Sequence, residues 1–173
     1  QALSTYKGEI RTQEELAVDA CHIEIDLARQ PIGKQDQYIA SYGNIRSINF
    51  NKDGSVNPKR LYINESDKRR LSDNLMLFYT DRTREARSVL NEQTAKLTKN
   101  IDNLHELVSL AKLGEKCLLQ GAFDEFGEIL NKSWIVKKQL ANSITNPEID
   151  KMYDTAIQAG ATGGKITGAG GGG

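Results

Sequence analysis

The spacing of apolar residues predicts a helix that begins near Thr12 and ends before Pro31. Its apolar positions recur every three or four residues, as on one face of an α-helix: Leu16, Ala20, Ile23 and Leu27. Thr12 and Glu15 have the spacing of a capping box, in which each side chain bonds the other's backbone N–H. Residues 1–6 are expected to be the last turns of another helix, closed by Gly8, because glycine favours the position after a helix end.

The middle of the chain is predicted to be β-rich. Residues 45–50 alternate between polar and apolar, which is typical of a half-buried strand, and residues 51–54 have turn composition. Two later apolar runs, 61–63 and 75–79, indicate further strands. A short helix that ends near Gly43 is expected to precede them, because it follows a glycine turn.

From residue 83 to about residue 143 the apolar pattern changes to helical spacing. A further helix is expected to begin with Asn146 as its N-cap and Pro147 at its first position. The glycines expected to separate or end these helices are Gly114, Gly121 and Gly160. Strands followed by helices predict an α+β fold, with helices packed on a small antiparallel sheet, rather than a doubly wound sheet.

Charge and composition narrow the class of protein. The 173 residues include 23 acidic and 23 basic side chains, so no net charge attracts the chain to nucleic acid or to an anionic membrane. The apolar runs are too short to cross a bilayer and no signal segment opens the chain, so we expect a cytoplasmic protein. Cys21 and Cys117 are too widely spaced for a metal knuckle, and we expect buried, reduced thiols.

The C-terminal end of the chain is rich in glycine, since eight of the fifteen glycines lie at or after Gly160. Such density disfavours a helix or strand interior, because glycine loses the most backbone entropy on ordering. Bare backbone lets consecutive N–H groups converge on an anion, and Lys165 and Thr167 add a charge and a hydroxyl. The segment is therefore a candidate phosphate-binding loop. A flexible tail or linker is the alternative.

Two carboxylates form a second candidate. Glu24 lies on the predicted helix, and Asp36 follows it after a Pro-Ile-Gly turn, so that both can face one cleft. Magnesium takes oxygen ligands, and a carboxylate can accept the proton of an attacking hydroxyl group. Solvated carboxylates are the alternative, with Arg29 as an ion-pair partner for Glu24.

Together the two segments resemble the GHMP superfamily, named for galactokinase, homoserine kinase, mevalonate kinase and phosphomevalonate kinase. Residues 21–37 are similar to the family segment in which a helix glutamate precedes a Gly-x-x-Asp-Gln-like turn. Residues 165–173 match its third motif, Lys-x-Ser/Thr-Gly-Ala-Gly-x-Gly-Gly. The form Gly-Lys-Gln-Asp-Gln-Tyr at 33–38, with residues 78–80 and 83–86, is most similar to the D-glycero-D-manno-heptose phosphate kinases.

The resemblance implies an ATP-dependent sugar kinase that transfers the γ-phosphoryl group of Mg-ATP to a hydroxyl of a heptose phosphate. It implies that Asp36 is the catalytic residue, which accepts or orients the proton of that hydroxyl, and that Glu24 is the Mg²⁺ ligand. The implied substrate-binding residues are Lys34, Gln35, Gln37 and Arg84. The implied phosphate-binding residues are Thr167, Gly168, Ala169, Gly170 and Gly171.

The resemblance covers nearly the whole chain but not the whole family pattern. The family's first motif, its Pro-x-x-x-Gly-Leu/Ile-x-Ser-Ser-Ala nucleotide loop and the strand after the third motif are not found. Residues 1–70 then correspond to the remainder of an N-terminal nucleotide and substrate domain, and residues 71–173 to a C-terminal α+β domain. We expect the polypeptide itself to bind ATP poorly and to be inactive.

Three other interpretations stay open at this point. The first is another GHMP sugar kinase, acting on galactose or fucose. The second is a non-catalytic domain that binds a sugar phosphate or a protein partner, and the third is a helical interaction module with a linker tail. The sugar phosphate and ATP are the expected partners, and a homodimer is compatible with the sequence.

Overall fold

The computed structural model describes residues 2–82 and 86–172, which form two units that divide between Tyr62 and Ile63. The first unit contains α1 (Ala2–Tyr6), α2 (Gln13–Cys21), a π-helical turn (His22–Leu27), α3 (Gln35–Tyr42), β1 (Arg46–Phe50) and β2 (Val56–Arg60). The second unit contains α4 (Glu65–Asp73), α5 (Ala86–Ala95), α6 (Ile101–Gln120), α7 (Phe123–Lys138) and α8 (Pro147–Gln158). Short 3₁₀ turns lie at Thr98–Asn100 and Asn142–Ile144.

The capping box predicted at the start of α2 is confirmed. The Thr12 hydroxyl accepts from the Glu15 N–H at 3.2 Å, and the Glu15 carboxylate accepts from the Thr12 N–H at 2.7 Å. These bonds to the charged form lower the pKa of Glu15. The glycine after α1, Gly8, has a left-handed φ of 74°, as expected of a residue that ends a helix.

The core of the first unit lies between α2, α3 and the hairpin. Its buried residues are Ala17, Cys21 and Tyr38, and the side chains packed around them are Ile25, Tyr42, Ile48 and Val56. The hydroxyls of Tyr38 and Tyr42 both donate to the Glu14 carboxylate, at 2.7 Å and 2.8 Å. A single carboxylate therefore fixes two turns of α3 against α2.

The hairpin of the first unit was partly predicted. Strands β1 and β2 pair antiparallel, with Phe50 opposite Val56, and the turn at 51–54 is confirmed. The strands predicted at 61–63 and 75–79 are wrong, because neither segment has regular structure. An apolar run becomes a strand only where a partner satisfies its backbone groups. All five side chains of 75–79 are more than half exposed.

The second unit is helical, and α6 and α7 pack together. Gly121 ends α6 in the left-handed conformation, as predicted. The prediction that Gly114 separates two helices is wrong. Gly114 lies inside α6, where an added Cβ would be 3.3 Å from the Phe126 ring. Its missing side chain allows α7 to approach closely, which is a packing role rather than a helix end.

The core of the second unit surrounds Trp134, which is 1% exposed. The other buried residues of this cluster are Val89, Leu140, Ala141, Ile144 and Ile149. Helix α8 closes the cluster, and its predicted N-cap is confirmed: the Asn146 side chain accepts from the N–H groups of Glu148 and Ile149. Gly160, predicted to end α8, follows it with a φ of 103°.

The predicted α+β class is confirmed, since the described residues are mostly helical with one small antiparallel sheet. Helix α4 was not predicted, because Leu71 is its single apolar residue and creates no periodicity. The assignment of 1–70 and 71–173 to two functional domains stays a prediction. Both cysteines are free thiols, with Cys21 buried and Cys117 partly buried. None of the helices in the described part of the chain is long and apolar enough to span a bilayer.

Candidate functional site

The two predicted carboxylates lie on consecutive helical segments of the first unit. Glu24 lies in the π-helical turn that continues α2, and such turns occur frequently at functional sites. Asp36 lies in the first turn of α3, where the positive end of the helix dipole favours a negative charge. Both residues are exposed to solvent. They are therefore accessible to a ligand.

Gln37 connects these two segments. Its side-chain amide donates to the Glu24 carboxylate at 2.8 Å, although Gln37 itself is only 4% exposed. The Gln37 Oε1 atom is buried and has no donor within the described residues. The bond fixes the orientation of the candidate metal ligand, a role that the sequence did not predict for Gln37. Its predicted contact with substrate stays a prediction.

The other predicted substrate-binding residues are Lys34, Gln35 and Arg84. Lys34 precedes α3 and donates to the Gly54 carbonyl of the hairpin turn at 3.3 Å. Lys34 and Gln35 are both exposed, so either side chain is accessible to a sugar or phosphate. The predicted residue Arg84 lies outside the described residues. No group of three or more potential metal-ligating side chains occurs within residues 2–82 and 86–172.

The glycine-rich segment has a backbone that requires glycine. Its left-handed φ angles are 65° at Gly168, 113° at Gly170, 81° at Gly171 and 145° at Gly172, a region that other residues rarely enter. Gly171 donates its N–H to the Ile144 carbonyl at 2.8 Å. This N–H is thus used inside the protein, so Gly171 braces the segment rather than offering a donor to a ligand.

Two helices hold the carbonyl groups of the same segment. The Lys137 ammonium, at the end of α7, donates to the carbonyls of Gly168 at 2.6 Å and Ile166 at 3.5 Å. The Gln93 amide of α5 donates to the Ala169 carbonyl at 3.4 Å. The side chains of Ile166 and Ala169 also pack against the core around Trp134. The segment is therefore anchored to the second unit, which argues against a flexible tail.

Lys137 and Lys165 give this segment a positive charge. Burial lowers the pKa of Lys137 to about 8, and the neighbouring Lys165 ammonium acts in the same direction. Burial around its ammonium also lowers the pKa of Lys165. Neither lysine lies in an ion pair with a described residue. Two ammonium groups without a carboxylate partner favour the binding of an anion.

Lys137 was missed by sequence reasoning. Its only sequence signal is a basic residue in the last turn of a helix, which is common because cations are favoured there. The neighbouring Lys138 carries the same signal but pairs with Asp150 instead. The different contacts of Lys137 and Lys138 are therefore seen only in the three-dimensional structure.

The stability of the chain is expected to rise between pH 8 and 10.5, in part because of Lys137. The folded pKa is about 8 and the ordinary value is 10.5, so the unfolded chain binds more protons in this interval. Stability therefore rises with pH there, and below pH 8 the protonated Lys137 destabilises the fold. Urea unfolding of wild type and Lys137→Met at pH 7.5 and 10 measures this difference.

Lys138→Met is the matched control for this measurement. Lys138 occupies the next position of α7, but its ammonium pairs with Asp150 at 3.3 Å. The rise with pH should be smaller in Lys137→Met than in wild type and unchanged in Lys138→Met. Equal slopes in all three proteins would contradict the burial of the Lys137 ammonium.

The two candidate clusters lie in different units of the chain. Glu24, Asp36 and Gln37 belong to the first unit, and the glycine-rich segment belongs to the second. The prediction that they face one cleft stays a prediction.

Comparison with known proteins gives the relationships of the chain. Residues 115–173 match the family GHMP kinases C terminal. Over 145 residues the chain is 34% identical to D-glycero-alpha-D-manno-heptose 7-phosphate kinase from Campylobacter jejuni. This match covers 82% of this chain and 42% of that protein. It is also 30% identical over 107 residues to the bifunctional fucokinase/GDP-fucose pyrophosphorylase from Arabidopsis thaliana, covering 60% of this chain and 10% of that protein.

A solved structure extends this comparison. The D-glycero-D-manno-heptose 1-phosphate kinase from Bacteroides thetaiotaomicron matches with a TM-score of 0.73 and 27% identity, over 98% of this chain and 46% of that chain. The resemblance drawn from the two sequence motifs is thus confirmed. The chain spans less than half the length of both heptose phosphate kinases.

Proposed function

Because residues 115–173 match the family GHMP kinases C terminal, we propose that the chain is part of a sugar kinase acting on a heptose phosphate. The reaction transfers the γ-phosphoryl group of ATP to a sugar hydroxyl group. The observation that carries this proposal is the anchored glycine-rich segment, whose backbone is held at Gly168 by the Lys137 ammonium. The relatives that act on heptose phosphates support the choice of sugar.

In this reaction Asp36 accepts or orients the proton of the attacking hydroxyl group. It is exposed at a helix start, and a carboxylate within hydrogen-bond reach of a hydroxyl can serve as a general base. The proposal requires that Asp36 and the glycine-rich segment face the same substrates. Phosphoryl transfer depends mainly on positioning and on charge stabilisation, so few groups need to react covalently.

Glu24 is the residue proposed to hold Mg²⁺. Magnesium is commonly held by one or two carboxylates together with substrate phosphates, so a single exposed carboxylate fits this donor set. When bound, the ion neutralises charge on the phosphate oxygens. The Gln37 amide bond at 2.8 Å keeps one Glu24 oxygen engaged and leaves the other available for a ligand.

The glycine-rich segment is proposed to bind phosphate oxygens through its backbone. Positive charge comes from Lys137 and Lys165, and Thr167 is an exposed residue of the same segment. Donors that are fixed before the reaction stabilise developing charge without reorganisation. The reaction is placed in the cytoplasm, where ATP is available.

A fucose kinase is the second candidate, because the fucokinase from Arabidopsis thaliana and the L-fucokinase/L-fucose-1-P guanylyltransferase from Bacteroides fragilis are 30% and 31% identical to parts of this chain. A substrate panel separates the two. ATP turnover by the complete gene product should be measured with heptose 7-phosphate, heptose 1-phosphate, fucose and galactose.

We expect kcat/KM for one heptose phosphate to exceed that for either unphosphorylated sugar by about 100-fold or more, because a site built to bind a polar group discriminates strongly against a substrate that lacks it. Turnover of fucose alone would replace the heptose assignment by the second candidate. A folded protein that phosphorylates no sugar with ATP would contradict the kinase proposal.

A further inference from the structure

We propose that Lys137 is a positioning residue of the phosphate site. Its ammonium holds the carbonyls of Ile166 and Gly168 on the helix side of the glycine-rich segment, so that the adjoining N–H groups point to the opposite side, toward a phosphate group. The identity of that phosphate, on ATP or on the sugar, rests on the proposed function. The existence of the anion site rests on the contacts alone.

The geometry of the peptide bond relates the bound carbonyl groups to the direction of the N–H groups that follow them. The described residues contain no cis peptide bond, and in a planar trans peptide the C=O and the following N–H point in opposite directions. Lys137 binds the carbonyls of Ile166 and Gly168. The short bond to the Gly168 carbonyl directs the Ala169 N–H to the side away from Lys137, and the longer contact with Ile166, at 3.5 Å, favours the same direction for the Thr167 N–H.

Gln93 acts on the next peptide in the same way. Its amide donates to the Ala169 carbonyl, which directs the Gly170 N–H away from α5. Three peptides of this segment thus have their carbonyls bound by helix side chains. The 2.6 Å bond from Lys137 to Gly168 is the shortest of these contacts, so Lys137 has the largest effect on the orientation.

The N–H groups that result have no acceptor within the described residues. The backbone bonds of this part of the chain include the N–H of Gly171, which donates to Ile144, but not those of Thr167, Ala169 or Gly170. Gly170 is nevertheless buried. Buried N–H groups are nearly always paired, so the acceptor of the Gly170 N–H lies outside the described residues, and a bound anion would be such an acceptor. Successive N–H groups of this kind form anion-binding nests.

The charges around Lys137 favour the same ligand. The group that faces it from the glycine-rich segment is the Lys165 ammonium. On α7 the adjacent Lys138 is turned toward Asp150 and the Trp134 ring. No carboxylate of the described residues pairs with Lys137 or Lys165. A phosphate group would therefore supply both an acceptor for these N–H groups and a negative charge beside the two ammonium groups.

The test uses the complete gene product and pyrophosphate as the probe, with binding measured by calorimetry at pH 7. The variants are Lys137→Met, Lys137→Arg and the matched control Lys138→Met. We expect Lys137→Met to weaken pyrophosphate binding about tenfold or more, since charge-assisted bonds are the strong ones. Lys137→Arg should keep affinity within about threefold, because its guanidinium also donates to carbonyls, and Lys138→Met should bind like wild type.

The pH dependence of pyrophosphate affinity shows whether Lys137 acts through its charge or only through its contribution to the fold. Above pH 8 the Lys137 ammonium loses its proton, so the affinity of the wild type should fall, whereas that of Lys137→Arg should fall less, because arginine stays charged. The inference would be overturned if Lys137→Met bound pyrophosphate with the affinity of the wild type. It would also be overturned if Lys138→Met lost as much affinity as Lys137→Met, or if the wild type bound no pyrophosphate.

Kinetics then identify the source of the phosphate. If the phosphate belongs to ATP, Lys137→Met raises the KM for ATP, and if it belongs to the sugar, the variant raises the KM for the heptose phosphate. A wild type that binds pyrophosphate but phosphorylates no sugar would contradict the proposed function and leave the anion site supported. The two failures are thus distinguishable.

Discussion

Asp36→Asn is expected to lower the kcat of the complete gene product by about 100- to 10,000-fold, the range contributed by a positioned general base. The amide keeps the size of the side chain but cannot accept the proton of the attacking hydroxyl group. Because Asp36 is exposed in the first turn of α3, the substitution should leave the fold and the KM for ATP nearly unchanged. Steady-state ATP turnover with a heptose phosphate measures the effect.

Asp26→Asn is the matched control for this substitution. Asp26 is an exposed aspartate in the π-helical turn, and its carboxylate pairs with His22 at 3.0 Å. It is expected to keep kcat within about threefold of wild type, since exposed ion pairs contribute little. A kcat for Asp36→Asn close to that of Asp26→Asn would remove Asp36 from the proposed mechanism.

Local signals in the sequence predicted the helix ends well. The capping box of Thr12 and Glu15 and the N-cap Asn146 involve residues two or three positions apart, so they can be read without knowledge of the fold. Gly121 was predicted for the same reason, because its left-handed conformation follows from its place after a helix.

The wrong predictions depend on contacts that are distant in sequence. The apolar run at 75–79 has strand composition, yet a strand needs a partner, and none of the described residues pairs with it. Likewise Gly114 reads as a helix breaker until α7 is known to pack against it. Composition states what a segment prefers, whereas pairing and packing decide between the alternatives.

In the candidate site, too, local motifs were predicted from the sequence, whereas contacts between distant residues were not. The resemblance to the GHMP kinases was recognised from short patterns at 21–37 and 165–173, and the comparisons confirmed that resemblance. Lys137 was not recognised, because it contacts Gly168, a residue 31 positions away. The role of Gln37 toward Glu24 was missed for a similar reason, since that bond spans 13 positions. Residues that orient other residues carry no motif of their own.

Gly170→Ala is expected to lower the free energy of unfolding by about 2 to 6 kcal/mol, the sum of backbone strain and overpacking. Gly170 has a φ of 113°, and an added Cβ would lie 2.9 Å from the Ile144 carbonyl oxygen and 3.0 Å from the Ile144 Cα. Ile144 is completely buried and accepts from the Gly171 N–H, so it has little room to move. Urea unfolding of the polypeptide measures the loss.

Gly168→Ala separates the collision from the backbone strain. Gly168 also has a left-handed φ, of 65°, but no atom lies within 4 Å of an added Cβ. We therefore expect Gly168→Ala to cost only about 1 to 2 kcal/mol, the penalty for a left-handed alanine. Equal losses in the two variants would mean that the glycine-rich segment does not pack on Ile144. The contact with Ile144 helps to fix the segment on the second unit. Without it, the proposed orientation of the N–H groups would lack support.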